Sequence, residues 1–352
     1  MRYVNRMKNQ EKKTINKPVV EIDTKKCQNL AQLLNSLSIP LDKEDIDLKN
    51  FSHVEIGNFY LFLVAICHQT SPPGKLPLEG TINGYRKRGW DYLSAKFEEN
   101  VYTNRSLLEP SCWFDFTTEQ MSSLYRDTEL GDRLLDPERR ALLIRDLGFV
   151  MQTEGWRWVE EIYQFCKGRV TTGKPNLLDT LAKFKAYNDP IRKKSLFLLS
   201  LMRNTGLWKY PDESKLGPPV DYHEVRGHLR IGTVKVNSEE LNKKLMDAKP
   251  VSCGDDLEIR GAVYGAIMLI SELTGLRNPS QLHYMFWNVF RSCCKRESPH
   301  CKGCPPNCSL PIRYVPMAIH QHGYRQCPFS SVCASVNITY RYQEHVFETE
   351  YY

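Results

Sequence analysis

An acid and a patch of thiols are the residues of this 352-residue chain best suited to chemistry. Asp221 follows Gly217-Pro218-Pro219-Val220 and stands where a helix should begin; Val225, Leu229 and Gly232 lie on one side of that helix, Arg226 and Arg230 near another. Unpaired backbone N–H groups at a helix N-terminus stabilise an aspartate's charge, so Asp221 reads either as a fixed anion or as a plain N-cap. Seven of the twelve cysteines lie between Cys293 and Cys333, while Cys27, Cys67, Cys112, Cys166 and Cys253 are scattered. Clustered thiols with short spacings, in a chain with no visible secretory signal, read as a metal site in a reducing compartment. The scattered five read as small buried hydrophobes. A third stretch, Gly84-Tyr85-Arg86-Lys87-Arg88-Gly89-Trp90, sets basic side chains among aromatics. It could lean on phosphates and stack on a base, or be solvated charge beside a core tryptophan.

The elements that must hold these residues are mostly helical. Cys27 to Leu37 is amphipathic, and Phe59 to Cys67 lies in a segment apolar nearly all round, hence a buried central helix stopped by Ser71-Pro72-Pro73-Gly74. Gly80 to Asn100 reads as a turn and a helix. Thr117 to Tyr125, Asp136 to Thr153, Trp156 to Gly168 and Leu177 to Phe184 follow as helices, the second marked by Pro137 in its first turn. Leu196 to Met202, Ala262 to Leu273 and Leu282 to Cys293 complete the set. No run of alternating β-branched residues is long enough to predict a sheet. The longest apolar run is too short to span a bilayer, so no membrane partner is expected. Hydrophobic content of 41% with 25% charged residues describes an ordinary globular chain, and the excess of 48 − 41 = +7 permits a nucleic-acid partner without requiring one. Arg2 to Lys17 reads as a solvated basic tail.

Pro219-Val220-Asp221-Tyr222-His223 with Arg226, Leu229 and Gly232 resembles the segment that supplies the catalytic aspartate in helix-hairpin-helix DNA glycosylases of the endonuclease III type. Gln69-Thr70, following His68, resembles the end of that family's first catalytic-domain helix, whose glutamine helps fill the gap left by a flipped base; a polar helix end is the plainer reading. Asp189-Pro190-Ile191-Arg192-Lys193-Lys194 stands where the family has its hairpin and, in lyase members, a lysine, with Lys194 the better match. The hairpin's Gly-x-Gly is missing, leaving Arg192, Lys193 and Lys194 as the substitutes for its phosphate contact. The resemblance implies a carboxylate at Asp221 that stabilises an oxocarbenium-like sugar or activates water while a C1′–N bond breaks. It offers Lys194 as a Schiff-base former, against a plain surface lysine, and Tyr222 and His223 as pocket-lining residues.

A second resemblance runs through Asn58-Phe59, Gly89-Trp90, Phe116-Thr117 and Asp136-Pro137-Glu138-Arg139, and again at Gly254-Asp255-Asp256-Leu257-Glu258-Ile259-Arg260-Gly261. These follow the order seen in queuosine salvage proteins, which release a deazaguanine base from its nucleotide on a related fold. Both resemblances meet at Asp221.

Cys294-x6-Cys301-x2-Cys304 is similar to the first three ligands of the glycosylase [4Fe–4S] loop, while Cys327-Pro328-x4-Cys333 looks like its ending displaced by an insertion. Four of these five cysteines are the expected ligands, Cys304 and Cys327 competing for one place. Four thiolates suit iron–sulfur or structural zinc; the resemblance implies [4Fe–4S]. The expectation is a mostly α, two-domain helical glycosylase-like fold with a cysteine-rich metal loop. A basic tail and helical extension occupy 1–50, a catalytic domain with a degenerate hairpin 51–215, a domain with Asp221 and the metal loop 216–335, and a tail 336–352. The expected activity is N-glycosidase action on a modified base in DNA, foreign DNA included; the alternatives are a free modified nucleotide as substrate and a non-catalytic nucleic-acid-binding module. A monomer is expected, cytoplasmic and nucleoid-associated in a prokaryote.

Overall fold

The computed structural model describes residues 18–40, 48, 50–275, 279–305, 308–317, 319–321, 324–339 and 341–352; the basic tail expected over Arg2 to Lys17 lies outside them. The described residues are mostly α, and among them no single helix is long and apolar enough to cross a membrane. Buried side chains form two clusters. One runs from Leu48 to Leu216; the other joins Val20 to Leu34 with Val220 to Phe329. The N-terminal extension is therefore part of the second cluster. Its strand Val20–Ile22 pairs antiparallel with Val234–Val236, and its helix Thr24–Asn35, capped by Asp23, packs on Cys253–Thr274.

The central helix is His53–Ala65, started by a reciprocal Ser52/Glu55 cap and buried continuously from Gly57 to Ala65. Asn58 within it is satisfied on every side, donating to the Leu108 and Arg157 carbonyls and accepting from the Val159 amide. This helix stops earlier than the Pro-Pro-Gly stop signal predicts. Cations collect its last carbonyls: Lys194 takes that of Ala65, and Arg140 takes those of Ile66 and His68. Such partners satisfy the unpaired end of a helix without another turn.

Sheet was not expected, yet three two-stranded ribbons occur among the described residues. Residues expected to be a turn and a helix form the hairpin Glu79–Ile82 with Tyr85–Arg88, then the helix Trp90–Thr103. Asn83 and Gly84 both take positive φ, 51° and 78°, the two-residue turn whose twist suits a hairpin. The Asn-Gly pair carried that signal in the sequence. Tyr85, Arg86 and Arg88 are exposed on this hairpin, while Trp90 meets Phe197 edge-on at 4.8 Å.

The C-terminal segment is no loose tail. Glu344, His345 and Tyr352 are buried, the amide of Val251 bonds the Val346 carbonyl, and the amide of Gln69 bonds that of Tyr352. What holds it is a buried charge network around Arg260 in the long helix Cys253–Thr274. Arg260 donates two 2.9 Å bonds to Asp189 and three more to Asp256. Asp256 also accepts from Tyr352 at 2.6 Å and meets His345 at 2.7 Å. Burial alone would raise Asp256, but bonds from His345 and Arg260 hold its carboxyl down to about 2. Removing the cation would strand two buried carboxylates, so Arg260→Met is expected to cost about 3–5 kcal/mol in denaturant unfolding. A loss below about 1 kcal/mol would show the network to be dispensable.

Candidate active site and metal centre

Asp221 opens the helix Tyr222–Ile231. Its backbone is extended, and its carboxylate accepts from the amides of His223 at 2.7 Å and Glu224 at 3.3 Å, while Glu224 returns a bond to the Asp221 amide. The capping role expected as the plain reading is present. The surroundings are unusual for a cap, because Asp221 is only 8% exposed. Burial, then the neighbouring Glu224, push its carboxyl up to about 6 against the opposing charges of Lys193 and His283. Glu224 is wholly buried and held well above the usual carboxylate range, chiefly by burial, with His283 Nδ1 at 2.8 Å from its Oε1. Glu224 and His283 escaped the sequence reading, although an acid three residues after a cap is the usual closing member of such a box.

The helix Lys193–Asn204 brings the lysines to this place. Asp189 accepts from the amides of Ile191 and Lys193, and Arg192 turns the chain with φ 61°, so this short turn replaces the expected hairpin. Both lysines are buried rather than surface-exposed. Lys193, not Lys194, is the lysine whose charge bears on Asp221; its Nζ lies 3.5 Å from Cys67 Sγ. Lys194 is bound to the Ala65 carbonyl and lies 3.4 Å from His68 Nδ1; burial pushes its ammonium down to about 7. His68 is held well below its ordinary value by burial, then by Arg140 and Lys194, so its imidazole is neutral. Arg192 reaches the Leu178 carbonyl and Asp179 instead.

Gln69 lies beyond the end of its helix, in left-handed backbone, and its side-chain amide donates to the Phe347 carbonyl at 2.9 Å. The rings of Tyr222 and His223 lie with centres 4.3 Å apart, tilted by 40°, and Thr70 bonds the Tyr222 hydroxyl. Arg226 is structural: it bonds the Cys294 carbonyl, Glu344 and His223 Nδ1. The structure thus gathers Asp221, Lys193, Lys194, His68, Tyr222 and His223 near the meeting of three helix ends, with Arg226 holding His223 from behind, and ties the Gln69 and Arg192 side chains elsewhere.

At its other end the Asp221 helix meets the cysteines. Gly227 lets it approach Pro279–Ser292 closely; a Cβ there would stand 2.3 Å from the Phe290 ring. The inserted hairpin Ile319–Gln321 with Tyr324–Gln326 folds back so that the Cys304 amide bonds the Arg325 carbonyl and the Cys327 amide that of Cys301. Cys294, Cys301, Cys327 and Cys333 then line one small apolar cavity, together with Cys293, Gly227, Arg230, Ile231, Phe290, Phe329 and Ser330. Arg230 donates to Cys294 Sγ at 3.4 Å, and the Cys333 thiol donates to the Arg230 carbonyl at 3.3 Å. Cys304 instead joins Cys293 and Cys308, three sulfurs all within 4.8 Å of one another that could hold a metal ion. Cys293 and Cys308 were absent from the expected ligands.

No protein-family model matches this chain, and no curated protein matches its sequence.

The raised carboxyl of Asp221 has a consequence for stability. Between its ordinary value of 3.8 and about 6 the native state binds more protons than the unfolded chain, so this group's contribution is complete below 3.8 and lost as pH rises through about 6. Asparagine caps a helix as well as aspartate does. Asp221→Asn should therefore raise the melting temperature near pH ~8 and leave it nearly unchanged near pH ~3.5. An equal change at both, or a loss at the higher pH, would remove the assigned cost of its charge.

Proposed function

We propose that this protein is an N-glycosidase that releases a modified base from its nucleotide, with Asp221 as the catalytic carboxylate. The observation that carries the reading is a buried acid that is nonetheless fixed by two backbone amides and faced by Lys193. As the C1′–N bond breaks, positive charge grows on the sugar. A carboxylate pinned in a dry site stabilises that charge without having to reorient. Burial makes Asp221 a better base than a solvated aspartate, so it can also take a proton from the attacking water. The Lys194 ammonium, lowered to about 7 and 3.4 Å from the neutral His68 imidazole, is the group able to give a proton to the departing base. Tyr222 and His223 supply a ring pair on which a planar base can stack.

The resemblances leave DNA and free nucleotide as rival substrates. Two observations favour the free nucleotide. Lys193 and Lys194, offered as substitutes for the missing phosphate-binding hairpin, are buried, and Gln69, offered as the plug for a vacated base stack, is bonded to the C-terminal segment. A DNA enzyme needs phosphate contacts on both sides of the extruded nucleotide and hence steep salt dependence. The cysteine loop is the feature that favours DNA.

For the cofactor, the donor set fits a cluster: Cys294, Cys301, Cys327 and Cys333 surround one cavity, with Arg230 donating toward a sulfur. These four would hold a [4Fe–4S] cluster, which when bound supplies cross-linking and fixed charge and takes no part in bond breaking. Arg226 and Arg230 tie the helix begun by Asp221 to the Cys294 carbonyl, so the same thiols steady the acid's helix.

Purified protein is expected to release free base from a deazaguanine nucleotide, detected by mass spectrometry, faster than from duplex DNA carrying the same base. Asp221→Asn should lower turnover at least about a hundredfold while the variant stays folded. The wild-type rate should climb as pH rises through about 6, where Asp221 ionises. Release from DNA alone, with steep salt dependence, would restore the polymer substrate; no release from either, or near-normal release by the variant, would end the glycosidase reading.

A further inference from the structure

We propose that this chain carries a second metal centre, a zinc site formed by Cys293, Cys304 and Cys308, adjoining the cavity assigned to the cluster, whose wall Cys293 shares. The inference rests on the cluster reading only for which thiols are already in use. Five of the seven clustered cysteines line that cavity, Cys293 at its edge among them, and Cys304 and Cys308 stand outside it. Those two do not scatter as surplus thiols should. As a close pair in sequence they meet Cys293, at the end of the preceding helical segment, and all three sulfurs lie within 4.8 Å of one another.

The donor set and spacing suit zinc. Thiolate sulfur binds zinc at about 2.3 Å, which in a tetrahedron sets the sulfurs roughly 3.8 Å apart, so the three need close in by no more than about 1 Å. Cys304-x3-Cys308 falls within the short chelating spacing that structural zinc sites use. Backbone bonds hold the parts in place: the Cys304 amide to Arg325, the Cys308 amide to Pro305, and the His300 amide to the Cys293 carbonyl at 2.7 Å. His300 adds an independent sign. Its Nδ1 is buried and has no hydrogen-bond partner among the described residues, a costly state for a ring nitrogen that a metal would relieve. A turn of that ring toward Cys293 would complete a Cys3His set, a recognised closed zinc arrangement. Zinc is preferred to a second iron cluster because three thiolates and one imidazole satisfy a single filled-shell ion without bridging sulfide.

The site also explains the insertion that displaces the end of the loop. The hairpin brings Cys327 back between the two groups, where it hydrogen-bonds Cys293 on one side and has Cys301 as its neighbour on the other. A zinc centre at this edge would pin the start of the inserted segment while the cluster pins its return.

The test counts both metals in the full chain purified without oxygen and then offered zinc. Wild-type protein should contain one zinc per chain besides its iron. Cys308→Ser should lose the zinc and keep the iron with its broad visible absorption; Cys333→Ser should lose the iron and keep the zinc. Iron lost with Cys308→Ser, or wild-type protein that takes up iron and refuses zinc, overturns the proposal. Zinc bound in a Cys308-dependent way with no iron anywhere would sustain the zinc centre and sink the cluster reading instead. Should a variant fail to fold, the wild-type chain is alkylated after a zinc chelator. New label confined to Cys293, Cys304 and Cys308, with Cys294, Cys301, Cys327 and Cys333 protected, supports the proposal; label spread evenly over all seven refutes it.

Discussion

The buried guanidinium of Arg260, clamped between Asp189 and Asp256, is the interaction on which the rest of the site depends. Each of these charges alone would be expelled from so dry a position, so each is tolerable only while the others are present. The consequences reach in three directions. Asp189 organises the turn that starts the Lys193–Asn204 helix, which delivers both lysines. Asp256 collects His345 and Tyr352 and so draws the C-terminal segment inward. The helix that carries Arg260 also buries the N-terminal helix against the second core. Resistance to unfolding and placement of the lysines are two results of one ion network.

Around Asp221 the same low-dielectric logic works on proton affinity. Burial raises Asp221 to about 6 and lowers Lys194 to about 7, so two groups ordinarily locked into one protonation state approach neutrality together, while His68, held well below its ordinary value, stays neutral beside them. Groups displaced toward the working pH exchange protons readily, and they occur together in active sites more often than in scaffolds. The end of the central helix contributes directly, since its Ala65 carbonyl is the acceptor that immobilises Lys194.

The helix opened by Asp221 links acid and thiols. Its first residue carries the carboxylate, while Arg226 and Arg230, one turn apart, both grip the Cys294 carbonyl. Gly227 removes the side chain that would otherwise hold this helix off Phe290. The cysteine cluster and the acid's helix are therefore mechanically joined.

Much of this was readable from residue order because it is local. Helix caps depend on residues three apart, and Ser52 with Glu55, Thr117 with Gln120, Asp136 before Pro137, and Asp221 itself stand where such signals place them. The mostly α class follows from the spacing of apolar residues for the same reason. The Asn83-Gly84 hairpin is equally local, but its strands are only four residues each, too short for alternation to show. Other features depended on contacts distant along the chain. Neither the selection of Lys193 over Lys194 as the lysine facing Asp221, nor the early end of the central helix, nor the tie between Gln69 and Phe347 leaves a mark within a few residues. The arrangement of the seven cysteines as a lined cavity and an adjoining triad that meet at Cys293 is of this kind too, since spacing reports only which thiols are near in sequence. Order along the chain determined the helices and the kinds of group available; only the tertiary structure decided which of them meet, because burial and ion pairing act between segments that a linear reading keeps apart.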